Sequence, residues 1–327
     1  MKLTFDTIRE IACGAVSVAE SEDGFNFFRF TSEQSHMYKA FRNVEYYQKT
    51  LSTAGVRLAM RTDSERMSFD FKFAYGSSRR FGWFDIYEDG LLIDHVGDEG
   101  LLHNSGHSDI RLSPGFKTVE IYFPWSKAAS ISEFELDDGA SVVPVKRSRK
   151  LLCYGDSITH GYDAIFPSLS YANRLAAMLG ADPVNKAIGG DTFFPELLAL
   201  TEPVRPDIVT VAYGTNDWNV HSREAFEDHC GRFFEQLSKK FPDAKIFAIT
   251  PIWRQDKDKE TKFGAPLDEV EPLIRSICSG FANITVIGGM RMTPHYSEFY
   301  SDRYLHPNDL GFCHYANNLH AQISRYL

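Results

Sequence analysis

No uncharged apolar run of membrane-spanning length occurs in the 327 residues, so no membrane-spanning helix is expected within them. The first ten residues set Asp6, Arg9 and Glu10 into a stretch that would have to be uncharged in an export signal, so the expectation is a cytoplasmic protein. The five cysteines (Cys13, Cys153, Cys230, Cys278 and Cys313) are odd in number and scattered. No Cys-x-x-Cys pair is present, which argues against a disulfide framework or a thiolate zinc site and for reduced, mostly buried thiols. Basic residues are outnumbered, 35 Lys and Arg against 44 Asp and Glu; the net charge of -9 disfavours nucleic acid or an anionic membrane surface as partner. The one basic cluster, Lys146-Arg147-Ser148-Arg149-Lys150, reads as a solvated linker ahead of a buried strand. A Gly-x-Ser-x-Gly elbow, a phosphate loop and a dinucleotide fingerprint are all missing, so no cofactor is expected. His95, His103 and His107 are close in sequence but lack a helical or cysteine-assisted ligand frame. The segment between them reads as a surface loop, and no metal is expected.

What is present fits a folded protein, with 43% hydrophobic and 24% charged residues. The length exceeds the usual single domain, and the pattern changes grammar near residue 148, predicting domains at 1–147 and 148–327. The first part reads as short strands with period-two alternation, at 25–31, 56–62, 67–73, 81–87, 91–95, 118–123 and 131–136. In Met67-Ser68-Phe69-Asp70-Phe71-Lys72-Phe73 the apolar side chains fall on one face, and Asp89-Gly90 supplies the positive φ angles of a tight hairpin. An all-β sandwich of jelly-roll-like type is expected. The second part alternates strands at 151–154, 183–188, 207–213, 245–250 and 284–287 with helices at 170–179, 223–241, 267–281 and 308–326. Five strands joined through helices predict a parallel sheet with helices on both faces, an α/β domain of flavodoxin-like type.

Four blocks carry the chemistry: Leu151-Leu152-Cys153-Tyr154-Gly155-Asp156-Ser157-Ile158-Thr159, Asn185-Lys186-Ala187-Ile188-Gly189-Gly190-Asp191, Val211-Ala212-Tyr213-Gly214-Thr215-Asn216-Asp217, and Asp302-Arg303-Tyr304-Leu305-His306-Pro307-Asn308. The first three end just past strand carboxyl ends, where open α/β sheets bind ligands. In this order the blocks resemble the SGNH hydrolases, also called the GDSL esterase/lipase family, over about residues 150 to 327. The resemblance implies Ser157 as nucleophile and His306 as its base. It also implies an oxyanion hole from the backbone N–H groups of Ser157 and Gly190 and the side-chain amide of Asn216. Gly190 is preferred to Gly189 because it directly precedes Asp191-Thr192. Asp302 is the candidate to orient His306, but it lies four residues before the histidine where the family usually has three, and a backbone carbonyl is the alternative. Asp156 and Asp217 read as a cap and a loop brace. Trp218 and Trp253, at strand carboxyl ends, are either core packing or residues that wall a small acyl pocket or stack on a sugar ring.

The expected substrate is a small ester, foremost a short-chain, acetyl ester of a carbohydrate or similar alcohol, since the resemblance extends to carbohydrate acetylesterases with an N-terminal sandwich. A thioesterase or lysophospholipase would use the same blocks. A catalytically silent carbohydrate-binding protein is the alternative from another class, and the intact Ser157, Gly190, Asn216 and His306 speak against it.

Overall fold

The computed structural model describes residues 1–99 and 103–327. The chain divides into two compact units. The first comprises Met1–Ser148 with the short segments Ile165–Ser168 and Asp182–Val184, and the second comprises Arg149–Ala164, Leu169–Ala181 and Asn185–Leu327.

The first unit is built on two antiparallel sheets. One runs in the order Ser17–Ser21, Gly24–Phe28, Lys127–Leu136, Arg66–Tyr75, Ser105–Arg111. The other runs Ala12–Cys13, Arg57–Thr62, Lys117–Tyr122, Phe81–Glu88, Leu91–Glu99, with Val143–Pro144 added beside Arg57–Thr62. Alternation explains the core: Met67, Phe69, Phe71 and Phe73 of one sheet are buried in one cluster with Leu58, Met60, Phe84, Ile86, Val119 and Ile121 of the other. The rings of Phe69 and Phe84 meet edge to face, with centroids 5.5 Å apart. Each such side chain removed from water stabilises the unit by about 1.5–3 kcal/mol. The hairpin turn has φ of 48° at Asp89 and 81° at Gly90, as the sequence led one to expect.

Several elements of this unit depart from the sequence reading. Helices Phe5–Ile11, Ser32–Phe41 and Val44–Thr50 fall where no helix was expected, the second of them opened by a capping box between Thr31 and Gln34. His107 lies in the edge strand Ser105–Arg111 opposite Asp70 rather than in a loop. Of the segment between the histidines, 100–102 lies outside the described residues. His95 sits in the strand Leu91–Glu99, within the stretch 91–95 expected as a strand, opposite Asp85.

The second unit has a five-stranded sheet in the order Ala181–Asn185, Arg149–Gly155, Ile208–Ala212, Lys245–Ile249, Ile284–Ile287, the 2-1-3-4-5 order of flavodoxin-like folds. The pairings from Arg149–Gly155 through Ile284–Ile287 are parallel. Consecutive strand residues point to opposite faces, and Leu151, Leu152, Cys153 and Tyr154 are all buried, so both faces of the sheet are covered. The principal helices are Tyr171–Met178, Arg223–Lys240, Val270–Cys278 and Asp309–Ile323. The first and last of these meet through the stacked rings of Tyr171 and Tyr315, 4.0 Å apart. Strand order reverses between Arg149–Gly155 and Ile208–Ala212, and the crevice past their carboxyl ends is the place where this topology puts a ligand. Among the described residues no helix is long and apolar enough to cross a membrane.

Candidate active site

Ser157 is the first residue past the turn that ends the strand Arg149–Gly155, and it opens the short helix Ser157–His160. Asp156 caps that helix, its Oδ1 accepting the N–H of Ile158 at 2.9 Å. Burial pushes the Asp156 carboxyl up to about 6. Asp156 therefore acts on the backbone, in keeping with its reading as a cap.

Ser157 Oγ lies 2.9 Å from His306 Nε2, although the two residues are far apart in sequence. On the other side of the ring, His306 Nδ1 is 2.7 Å from Asp302 Oδ2. The second oxygen of Asp302 accepts three backbone N–H groups, from Tyr304 at 3.0 Å, Leu305 at 2.8 Å and His306 at 3.1 Å. Arg303 within this turn is left-handed, with φ of 67°, and the extra residue relative to the usual spacing is taken up there. Burial opposes ionisation of Asp302, but the hydrogen bonds from His306, Leu305 and Tyr304 outweigh it and hold the carboxyl well below the usual carboxylate range. An ionised Asp302 requires the proton on His306 Nδ1, which leaves Nε2 as an acceptor facing the serine hydroxyl.

Gly190 and Asn216 come from the next two blocks. Gly190 has φ of 89°, a region a side chain disfavours. The N–H of Gly189 donates to His160 Nδ1 at 3.2 Å and is thereby occupied. Asn216 Nδ2 donates to the carbonyl of Asp191 at 2.9 Å, which fixes the amide's orientation and leaves its second hydrogen for another acceptor. Asp217 ties the two loops together, accepting the N–H of Phe193 at 3.0 Å and of Gly214 at 3.1 Å. Complete burial raises its carboxyl to about 8, against the backbone hydrogen bonds that favour the charged form.

The tryptophans separate. Trp218 is fully buried, donates its indole N–H to the carbonyl of Ala265 at 2.8 Å and has Arg254 over its ring at 5.2 Å, which is core packing and not a pocket wall. Trp253 is half-buried, stacked on His295 with centroids 5.7 Å apart and tilted against Tyr300 at 5.1 Å.

Sequence reasoning missed His160, which holds Gly189, and Asp163, whose Oδ2 is 3.9 Å from His306 Nδ1. His160 carried a faint signal, three residues after Ser157 in the same short helix; Asp163 carried none. Among the described residues, the one cluster of three groups able to ligate a metal is Asp163, Asp302 and His306. His95 and His107 instead pair with different aspartates, Asp85 at 2.8 Å and Asp70 at 2.6 Å.

Residues 153–312, about half of the chain, match the GDSL-like lipase/acylhydrolase family. No curated protein matches in sequence. A solved salicylyl-acyltransferase from a tetracycline biosynthetic pathway is similar at a TM-score of 0.82 and 21% identity, over 96% of this chain and 94% of that one. A family two carbohydrate esterase from Cellvibrio japonicus is similar at 0.68 and 16% identity, over 98% and 96% of the two chains. An acetyl xylan esterase from the rumen bacterium Butyrivibrio proteoclasticus follows at 0.60 and 17% identity, over 83% and 89%. At such identities these likenesses establish the fold, β-rich N-terminal region included. The family match reaches from the first of the four blocks into the last helix, so residues 153–312 form a GDSL-like lipase/acylhydrolase domain and the protein is an ester-hydrolysing enzyme.

Proposed function

We propose that the protein is a serine esterase that removes a short acyl group, foremost acetate, from a carbohydrate or similar small alcohol. The observation that carries the reading is the continuous line Ser157 Oγ, His306, Asp302, with hydrogen-bond distances of 2.9 and 2.7 Å, at the switch point of the sheet. In this reading Ser157 attacks the ester carbonyl while Nε2 of His306 takes its proton, and the imidazolium then gives that proton to the departing alkoxide. The acyl group rests on Ser157 until water, deprotonated by the same nitrogen, releases it as the acid. The N–H groups of Ser157 and Gly190 and the amide of Asn216 face the oxyanion that forms at each stage. No bound metal or cofactor is called for in these steps.

Asn216→Ala should lower kcat by about 10²–10³-fold with a much smaller change in KM, because the amide acts on charge that exists only in the transition state. Steady-state kinetics on an aryl acetate measures this. A rise in KM with kcat unchanged would make Asn216 a ground-state binder instead.

The carbohydrate assignment is supported by the likeness to carbohydrate esterases and by Trp253, a half-buried indole of the kind that stacks on sugar rings. Comparing kcat/KM for aryl acetate and aryl octanoate, then for acetylated oligosaccharides, tests it. The acetate should be preferred, and acetylated saccharides should exceed simple aryl acetates. Preference for octanoate would favour a lipid substrate. The likeness to the salicylyl-acyltransferase favours a second reading, in which a second alcohol and not water takes the acyl group. Added alcohols would then yield new ester in place of free acid.

A further inference from the structure

We propose that Asp163 is a positioning residue for His306, a second carboxylate that works with Asp302 on the same ring nitrogen. The inference rests on His306 acting as the base described above. Asp163 is buried, with 7% of its surface exposed, yet its backbone is left-handed with φ of 70°. A residue with a Cβ disfavours that conformation, and buried outliers of this kind persist where the surroundings hold them and cluster at functional sites. Its Oδ2 lies 3.9 Å from His306 Nδ1, too far for a hydrogen bond but close for a charge. The three potential ligand atoms of Asp163, Asp302 and His306 all fall within 4.8 Å of one another.

Local geometry links this carboxylate to the nucleophile. The helix Ser157–His160 begins with Ser157, ends at Gly161, and leads straight into Tyr162 and Asp163. The N–H of Ala164 donates to the carbonyl of Gly161 at 3.0 Å and closes the turn that carries Asp163. The ring of Tyr162 lies near-parallel to the imidazole, with centroids 5.9 Å apart. One short stretch of chain thus supplies the nucleophile, a wall for the base and a second negative charge beside it.

The energetic consequence differs between the two states of the reaction. With neutral imidazole the two carboxylates gain little from the ring and repel each other. When Nε2 takes the serine proton the ring becomes a cation, and both carboxylates attract it. An interaction that strengthens only as the transition state forms lowers the barrier to kcat without tightening substrate binding. At about 4 Å in a partly buried setting, a unit charge is worth on the order of ten- to a hundredfold in rate. A purely structural Asp163, kept as a turn former, would have no such effect.

The test compares Asp163→Asn and Asp163→Gly by steady-state kinetics on an aryl acetate and by thermal melting. Both should lower kcat by about ten- to a hundredfold with KM within about twofold. Asp163→Gly should melt no lower than the wild type, because glycine takes a left-handed φ without strain. Adding Asp302→Asn to Asp163→Asn should cost less than the product of the two single losses, since both act through one imidazole. A change in kcat below about twofold in the folded Asp163→Asn or Asp163→Gly variant overturns the proposal, as do strictly multiplicative losses. Loss of wild-type activity to a chelator, restored by a divalent metal, overturns it in favour of a ligand role. Substantial activity in Ser157→Ala would point elsewhere, to failure of the serine-esterase reading itself.

Discussion

Ser157→Ala should reduce kcat by at least about 10³-fold, and by up to about 10⁶-fold if the enzyme resembles hydrolases in which removing the nucleophile disables the whole assembly. The fold should survive. Ser157 lies at the amino end of a four-residue helix held by the Asp156 cap, and its hydroxyl reaches His306, not a partner in the core. Removing one oxygen there takes away the group that bonds to the acyl carbon and leaves the sheet and its helices untouched. Turnover of an aryl acetate, with a melting curve for both proteins, measures the effect. Retention of more than about a tenth of wild-type kcat in a folded variant would exclude Ser157 as nucleophile.

Asp302→Asn should cost about 10⁴-fold in kcat, the loss seen when a triad aspartate becomes an amide. The substitution is nearly isosteric, so the turn should persist: the amide oxygen can still accept from Tyr304, Leu305 and His306, as Oδ1 does now. The amide nitrogen then replaces Oδ2 opposite His306 Nδ1, the contact now at 2.7 Å. Two donors cannot share a hydrogen bond, so the neutral ring must move its proton to Nε2, where it faces Ser157 and can no longer accept. A backbone carbonyl orienting the ring would be untouched by this change and would limit the loss to less than about tenfold. Rates from single-turnover experiments, which isolate acylation from product release, would separate the two outcomes.

Much of the second unit was legible in the sequence because its strands are covered on both faces and must be continuously apolar. Leu151 to Tyr154, Ile208 to Val211 and Ile246 to Ile249 are buried residue after residue, as in a central parallel strand, and their shortness, with the β-branched residues of the second and third, sets them apart from a buried helix. The sandwich was legible where its strands alternate, as in Arg66–Tyr75, and illegible where they do not. Ser17–Ser21 has four exposed residues of five, and the edge strand Ser105–Arg111 buries only Ser108 and Ile110, so neither shows a run of alternating apolar residues. The helix Ser32–Phe41 was announced by Thr31 and Gln34, but a period-two search does not read caps.

Ser157, Asn216 and His306 could be named as candidates because the four blocks resemble those of the SGNH hydrolases, and such short blocks survive in sequence because the turns that present these side chains are local. Distances between blocks are another matter. That His306 meets Ser157, that the left-handed Arg303 lets Asp302 reach Nδ1 across an extra residue, and that His160 occupies the N–H of Gly189 all depend on where separate segments come to rest. The same holds for the tryptophans, since equal positions at strand ends became a buried ring at Trp218 and a half-exposed one at Trp253. Asp163 shows the limit most plainly: its sequence surroundings mark only a turn, and its place 3.9 Å from the imidazole exists only once the last block has folded back onto the first. Sequence determines which groups a segment can offer and which local shape it prefers; packing between segments distant in the chain decides which of those groups meet, because electrostatic and hydrogen-bonding effects fall away within a few ångströms.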